Sequence, residues 1–159
     1  MTARSMTSAG ILLYRKGPAG LELLLAHPGG PFWRRKDRGA WSIPKGEVRL
    51  DETEETTARR EFLEELGHAF EGELVDLGSA TQRAGKIVRC FAASGDFDVD
   101  LMRSNLFEIE WPPRSGRIAR FPEIDRVAWF GTVEARSKLN PAQGVFVDRL
   151  EARLARGAA

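Results

Sequence analysis

Cys90 is the only cysteine among the 159 residues. A lone thiol forms no internal disulfide and no zinc cluster, which excludes a disulfide-stapled scaffold and a structural zinc site and points to a reducing compartment. Long apolar runs are missing too. Residues 23–26 are as long a run as the chain offers, far short of the roughly 20 residues that span a bilayer. The first eight residues hold no apolar stretch of the kind a signal peptide carries, so the cytoplasm is the expected setting. There is no excess of one charge. The 24 Lys+Arg and 23 Asp+Glu leave a net charge of +1, which argues against electrostatic binding of nucleic acid by the protein as a whole. Repeats, low-complexity tracts and linkers are absent from the sequence. Residues 1–159 are therefore expected to form a single domain, with an ordered core at about 8–155.

What is present is an ordinary globular composition, 42% hydrophobic and 30% charged, with its charges in blocks. Residues 1–50 carry nine basic and three acidic side chains, and residues 51–80 carry two basic and ten acidic. Residues 81–159 carry thirteen basic and ten acidic, so an acidic block lies between two basic segments.

Apolar segments bounded by turn residues predict strands at 8–15 and 21–27 joined by a turn at 16–20, and at 73–82 and 86–93 joined at Ala84 and Gly85. Further strands are predicted at 107–111 and 126–130, with a short extended piece at 41–44. Residues 32–39 read as a basic loop with two aromatics. Helical periodicity covers about 52–66, stopped by Gly67, with Asp51 and Glu54 placed as a capping box. A turn or two of helix is predicted at 98–104, a short helix at 132–139, and a last helix from Pro141 to about 155 with proline in its first turn. Residues 112–117 and 121–125 read as loops. Strands mixed with helices predict an α/β fold.

The acidic block has chemical content. Each helical residue advances about 100°, so Glu64 and Glu65 lie at about −60° and +40° from Glu61 on one stripe. Phe62, Leu63 and Leu66 fall on the neighbouring arc. Carboxylates at i, i+3 and i+4 repel, each like pair costing a few tenths of a kcal/mol. A hard divalent cation relieves that repulsion, since Mg²⁺ takes carboxylate oxygens and completes its shell with water and phosphate. The turn at Pro44, Lys45 and Gly46 feeds this helix and can supply a carbonyl ligand and a cation for an anionic group.

Gly46, Glu52, Arg60, Glu61, Glu64, Glu65 and Gly67 reproduce the spacing G-x5-E-x7-R-E-U-x-E-E-x-G-U, with Phe62 in the first U position. The chain thereby resembles the Nudix family, and the resemblance implies an α/β/α sandwich with a mixed sheet. It implies hydrolysis of a phosphoanhydride in a nucleoside diphosphate derivative with Mg²⁺ or Mn²⁺. Under it, Glu61, Glu64, Glu65 and the Gly46 carbonyl are the expected metal ligands. Arg60 orients Glu61, and Glu52 is its structural partner. His68 departs from the pattern at the last U, Arg49 stands where a Glu is usual, and Asp51 where a Gly is usual. Aspartate tolerates the left-handed backbone expected there.

Trp41-Ser42-Ile43-Pro44-Lys45-Gly46 is similar to the Trp-x-x-Pro-Lys-Gly lead-in of diadenosine tetraphosphate and diphosphoinositol polyphosphate hydrolases. Triphosphate-cleaning relatives more often carry Pro-Gly-Gly. The expected substrates are (di)nucleoside polyphosphates, with nucleoside triphosphates or diphosphoinositol polyphosphates as alternatives. A catalytically silent nucleotide-sensing module is the non-enzyme alternative. Lys45 is expected on phosphate. Phe32 and Trp33 beside Arg34 and Arg35 either stack a base and hold phosphates or form a solvated loop with Trp33 packed inward. His27, Cys90, Trp111 and Trp129 are expected to be structural, and His68 to cap carbonyls. A further acid outside the box is needed to take a proton or hold a second metal, and Glu108, Glu110 and Glu123 compete. Glu123 is favoured, because a loop glutamate six residues before Trp129 resembles the diadenosine tetraphosphate hydrolase pattern.

Overall fold

The computed structural model describes residues 6–157. Its strands are β1 (Thr7–Gly17), β2 (Gly20–Pro28), β3 (Lys45–Glu47), β4 (Val75–Thr81), β5 (Ile87–Ser94), β6 (Leu106–Glu110), β7 (Ile118–Pro122) and β8 (Ile124–Gly131). Its α-helices are α1 (Glu54–Leu66), α2 (Thr132–Lys138) and α3 (Gly144–Gly157). The main sheet runs β4-β5-β1-β2-β8, with β3 pairing the first part of β1. Only β1 and β5 are parallel in it, so the sheet is mixed. β6 and β7 form a separate hairpin.

Alternation along β1 builds two cores. Leu12 joins Leu23, Leu25, Val88 and Cys90 on the face covered by α2 and α3, through Ala135, Phe146, Val147 and Leu150. Ala9, Ile11 and Leu13 join Leu24 and Ala26 on the other face, under Ala58, Phe62 and Leu66 of α1. The sheet thus sits between helical layers, the expected α/β/α arrangement. Phe62 and Leu66 each contribute about 1.5–3 kcal/mol by leaving water, which pins the acidic helix to the sheet.

Several elements differ from the sequence expectation. α1 starts at Glu54 and its N-cap is Thr53, which accepts from the Thr56 N–H at 3.1 Å. Asp51 does not cap, because Glu52 is drawn to Arg60 and the helix begins only beyond it. Nor is Asp51 left-handed: among the described residues only Ala84 and Arg114 are non-glycines at positive φ. The last helix is split, since Pro141 opens a 3-10 turn, Pro141–Gln143, before α3. The helical segment at 98–104 shrinks to the 3-10 turn Val99–Leu101. β7 was hidden in the sequence by Arg120 and Pro122, and it leaves Glu123 alone between β7 and β8.

Candidate active site

Two glycines let β3 close over the helix. A Cβ on Gly10 would lie 2.2 Å from the Pro44 carbonyl oxygen, so β1 accepts the incoming lead-in only without a side chain. A Cβ on Gly46 would lie 1.9 Å from the Glu61 carboxyl carbon. The glycine is therefore the cradle in which the Glu61 carboxylate sits. Gly67 closes α1 at φ 80°, its N–H donating to the Leu63 carbonyl at 2.8 Å.

Arg60 organises the carboxylates. Its Nε and Nη2 hold Glu52 at 2.6 and 2.9 Å, Nη1 donates to Glu61 at 2.7 Å and to both Glu64 oxygens at 3.3 Å, and Nη2 also donates to the Glu47 carbonyl. The guanidinium, with help from Thr57 and the Arg49 N–H, holds the Glu52 carboxyl at about 2. This folded value lies below the ordinary 4.5, so the pair stabilises the fold fully above that pH and is lost as pH falls toward 2. Glu52→Gln should lower the melting temperature at pH 7, and the gap from the unaltered protein should close between pH 4.5 and 2 in melts across that range.

The other carboxylates have the opposite character. Burial pushes Glu61 up, opposed by Arg60 and reinforced by Glu64 and Glu123. Glu65, 8% exposed, is pushed well above the usual range by burial and then by Glu61. Its one hydrogen bond is from the Lys45 backbone N–H at 3.3 Å. Burial and the charge of Glu64 raise Glu123. Glu61 thus feels the charge of Glu64 and Glu123, Glu65 that of Glu61 and Glu123, and Glu123 that of Glu64. As the side chains stand, no three acidic, histidine or cysteine groups among the described residues already converge at ligand distance. Glu61 and Glu64 lean instead on Arg60. A buried Glu65 without a cationic bond, the Gly46 cradle and an all-oxygen donor set fit a hard divalent ion.

Glu123 is held by backbone alone. Its N–H donates to the Asn105 carbonyl at 2.9 Å, the Asn105 N–H to the Glu64 carbonyl at 2.9 Å, and the Gly29 N–H to the Glu123 carbonyl at 2.8 Å. A Cβ on Gly29 would meet the Pro122 oxygen at 2.0 Å, which explains the glycine. The competing acids lie elsewhere: Glu108 binds Arg120 across the hairpin, and Glu110 accepts from the Arg114 N–H.

Lys45 is buried enough to push its ammonium down, opposed by Glu65 and reinforced by the neighbouring charge of Lys86. Lys86 was not legible in the sequence: it is a cation beside a hairpin turn whose charge reaches Lys45 only in the folded sheet. Asn105 and Gly29 were likewise invisible, since they act through main-chain atoms.

The basic loop follows Gly29, whose N–H bonds the Glu123 carbonyl. Trp33 is 40% exposed with the Lys36 ammonium 5.0 Å from its ring centre, so it is not packed inward. Arg34 and Arg35 are exposed. His27 is fully buried, between Asp125 at 2.8 Å and the Lys36 carbonyl at 2.6 Å, and ties the loop to β8. His68 bonds the Leu101 carbonyl rather than the end of α1. Cys90 is buried and its thiol is pushed up by desolvation. The Trp129 indole N–H donates to Phe97. Trp111 packs not in the core but edge-on against Phe32 at the hairpin tip. No helix among the described residues is long and apolar enough to cross a membrane.

This fold, with carboxylates of one helix gathered beside a glycine cradle, defines a class. A NUDIX domain profile matches residues 4–150, and the chain belongs to that family. A MutT-like protein of Streptomyces ambofaciens is 36% identical over 81 residues. That match takes in 49% of this chain and 51% of the relative, so it spans about half the length of each. Among solved structures, a binary complex of the Caenorhabditis elegans Ap4A hydrolase is similar with a TM-score of 0.68 and 22% identity, over 93% of this chain and 98% of that one. The NUDIX domain of Shewanella oneidensis NrtR complexed with ADP ribose gives 0.64 and 15%, over 97% and 90%. A mutT/nudix family protein of Listeria innocua gives 0.65 and 18%, over 98% of both chains.

Proposed function

We propose that residues 1–159 form a single hydrolase domain that cleaves a phosphoanhydride bond in a nucleoside diphosphate derivative, with (di)nucleoside polyphosphates as the favoured substrates and Mg²⁺ or Mn²⁺ as cofactor. The observation that carries the reading is the mutual charge of Glu61, Glu64, Glu65 and Glu123 beside Gly46, with Arg60 as their sole hydrogen-bonded side-chain cation. The similar C. elegans structure is that of an Ap4A hydrolase, which supports the reading. Glu61, Glu64, Glu65 and the Gly46 carbonyl are the groups that would hold the cation. When bound, it supplies Lewis acidity to the phosphoryl oxygens and to attacking water. Arg60 keeps Glu61 turned toward Gly46, Lys45 neutralises substrate phosphate, and Glu123 accepts the proton released by water. The lone, buried Cys90 suits a cytoplasmic setting.

The test is a phosphate-release screen over dinucleoside polyphosphates, nucleoside triphosphates, nucleotide sugars and diphosphoinositols, each with Mg²⁺ and with chelator. Chelator-sensitive turnover of a nucleotide is expected. Tight binding with no turnover of any would overturn the hydrolase reading in favour of a sensing module. Within the proposal, Trp33 and Arg35 contact substrate. Trp33→Ala should raise KM for a nucleotide more than it lowers kcat, because stacking acts on ground and transition states alike. Steady-state kinetics beside a melting curve checks this, and an unchanged KM with a lower melting temperature would make Trp33 a packing residue.

A further inference from the structure

The β6–β7 hairpin has no partner strand and no core of its own, yet its tip is tied to the basic loop. Phe32 is 61% exposed, and its ring stands edge-on to Trp111 with centroids 5.4 Å apart. Nearer the base, a Cβ on Gly30 would lie 2.8 Å from the Phe107 ring, so the loop lies flat along the hairpin only because that residue is glycine. Both segments leave from Glu123: Pro122 ends β7 and the Gly29 N–H bonds the Glu123 carbonyl. A strand rises about 3.3 Å per residue, so Trp111 stands about 17 Å along the hairpin from Leu106 at its base.

The surroundings of the ring pair are cationic. Arg34 and Arg35 follow Phe32, and Arg114 and Arg117 follow Trp111. All four are exposed, and none has a side-chain ion pair among the described residues. The acids nearby are spoken for: Asp37 binds Lys138 and the Trp41 indole, Glu108 binds Arg120, and Glu110 accepts the Arg114 N–H. An exposed Phe32 ring against a half-buried Trp111, flanked by arginines without an ion pair among the described residues, is what a base with phosphates beside it requires.

We propose that the hairpin is a second jaw of the substrate site, in which Phe32 and Trp111 stack the far base of a substrate with a nucleoside at each end, while Arg34, Arg35, Arg114 and Arg117 line its polyphosphate. The proposal rests on the hydrolase reading above and makes substrate length the quantity selected. Notably, it assigns Trp111 to specificity rather than to packing.

The test compares a dinucleoside tetraphosphate with the nucleoside tetraphosphate that lacks the second base. In Trp111→Leu, which keeps apolar contact with Phe32, KM for the two-ended substrate should rise roughly tenfold, the scale on which one stacked base acts. KM for the one-ended substrate should stay within about twofold, and kcat for both should hold. Arg114→Ala together with Arg117→Ala should raise KM for the two-ended substrate and weaken its dependence on salt concentration. Equal changes on both substrates in Trp111→Leu, or none, would overturn the jaw. If the unaltered protein cleaves neither compound, the hydrolase reading fails separately. The jaw is then read by titrating each compound against tryptophan fluorescence with Mg²⁺ present. A roughly tenfold weaker Kd for the two-ended compound alone in Trp111→Leu supports it, and equal Kd values in both proteins refute it. A melting curve for each variant identifies loss of the hairpin itself.

Discussion

Glu65→Gln should lower kcat at least ~100-fold at saturating Mg²⁺ with the fold intact, the scale on which a group stabilising transition-state charge acts. Glutamine keeps the volume, and its amide oxygen can still accept from the Lys45 N–H. What it removes is a charge that burial and Glu61 make expensive in the folded protein. A carboxyl raised in the fold binds more protons there than when unfolded, so it costs stability as pH rises above its ordinary 4.5. The metal-free variant should therefore melt at or above the unaltered protein at pH 7, with the difference shrinking as pH falls toward 4.5. Mg²⁺ should raise the melting temperature of the unaltered protein and not that of the variant, because a ligand stabilises only the state that binds it. Glu64→Gln should lose activity to the same degree. Its side chain leans on Arg60 and bears on Glu123, so the loss should come without the stability gain. Near-normal turnover in both variants would sink the metal assignment.

Glu123→Gln should cut kcat by ~100-fold or more, the usual worth of a positioned proton acceptor, with little change in KM. Of the four carboxylates Glu61, Glu64, Glu65 and Glu123, the three on α1 are the ones proposed to hold metal. Glu123 comes from the single residue between two strands and makes no side-chain ion pair. Its raised ionisation, from burial and then from Glu64, places the loss of its basic form above the ordinary 4.5. The acid limb of the pH–rate profile should accordingly move or disappear in the variant. Full activity in Glu123→Gln, with loss in Glu108→Gln or Glu110→Gln, would transfer the role to the hairpin. The bonds of both those acids within the hairpin argue against that outcome.

Local chemistry made much of this legible. The stripe of Glu61, Glu64 and Glu65 and the stop at Gly67 follow from helical periodicity, and β1, β2 and β5 from short apolar runs buried on both faces. The start of α1 was misread because Asp51 and Glu54 imitate a cap, whereas the long-range pull of Arg60 on Glu52 decides where the helix begins. β7 carries a proline and an arginine, and its pairing depends on β6, so no property of its own five residues reveals it. The placement of Glu123 was inferred from a spacing, but the means of holding it, main-chain bonds from Gly29 and to Asn105, leaves no trace in side-chain identity. Lys86 belongs with these: two cations 41 positions apart meet only once β3 and β5 flank β1.

Cys90 has a practical consequence. With the only thiol buried in the core and pushed up by desolvation, the folded protein should resist maleimides and other thiol reagents. Any cysteine introduced on the surface becomes the unique reactive handle without prior mutagenesis. A fluorophore at Ser115, in the exposed tip between β6 and β7, with the native tryptophans as a second reporter, would read out optically whether nucleotide reaches that tip.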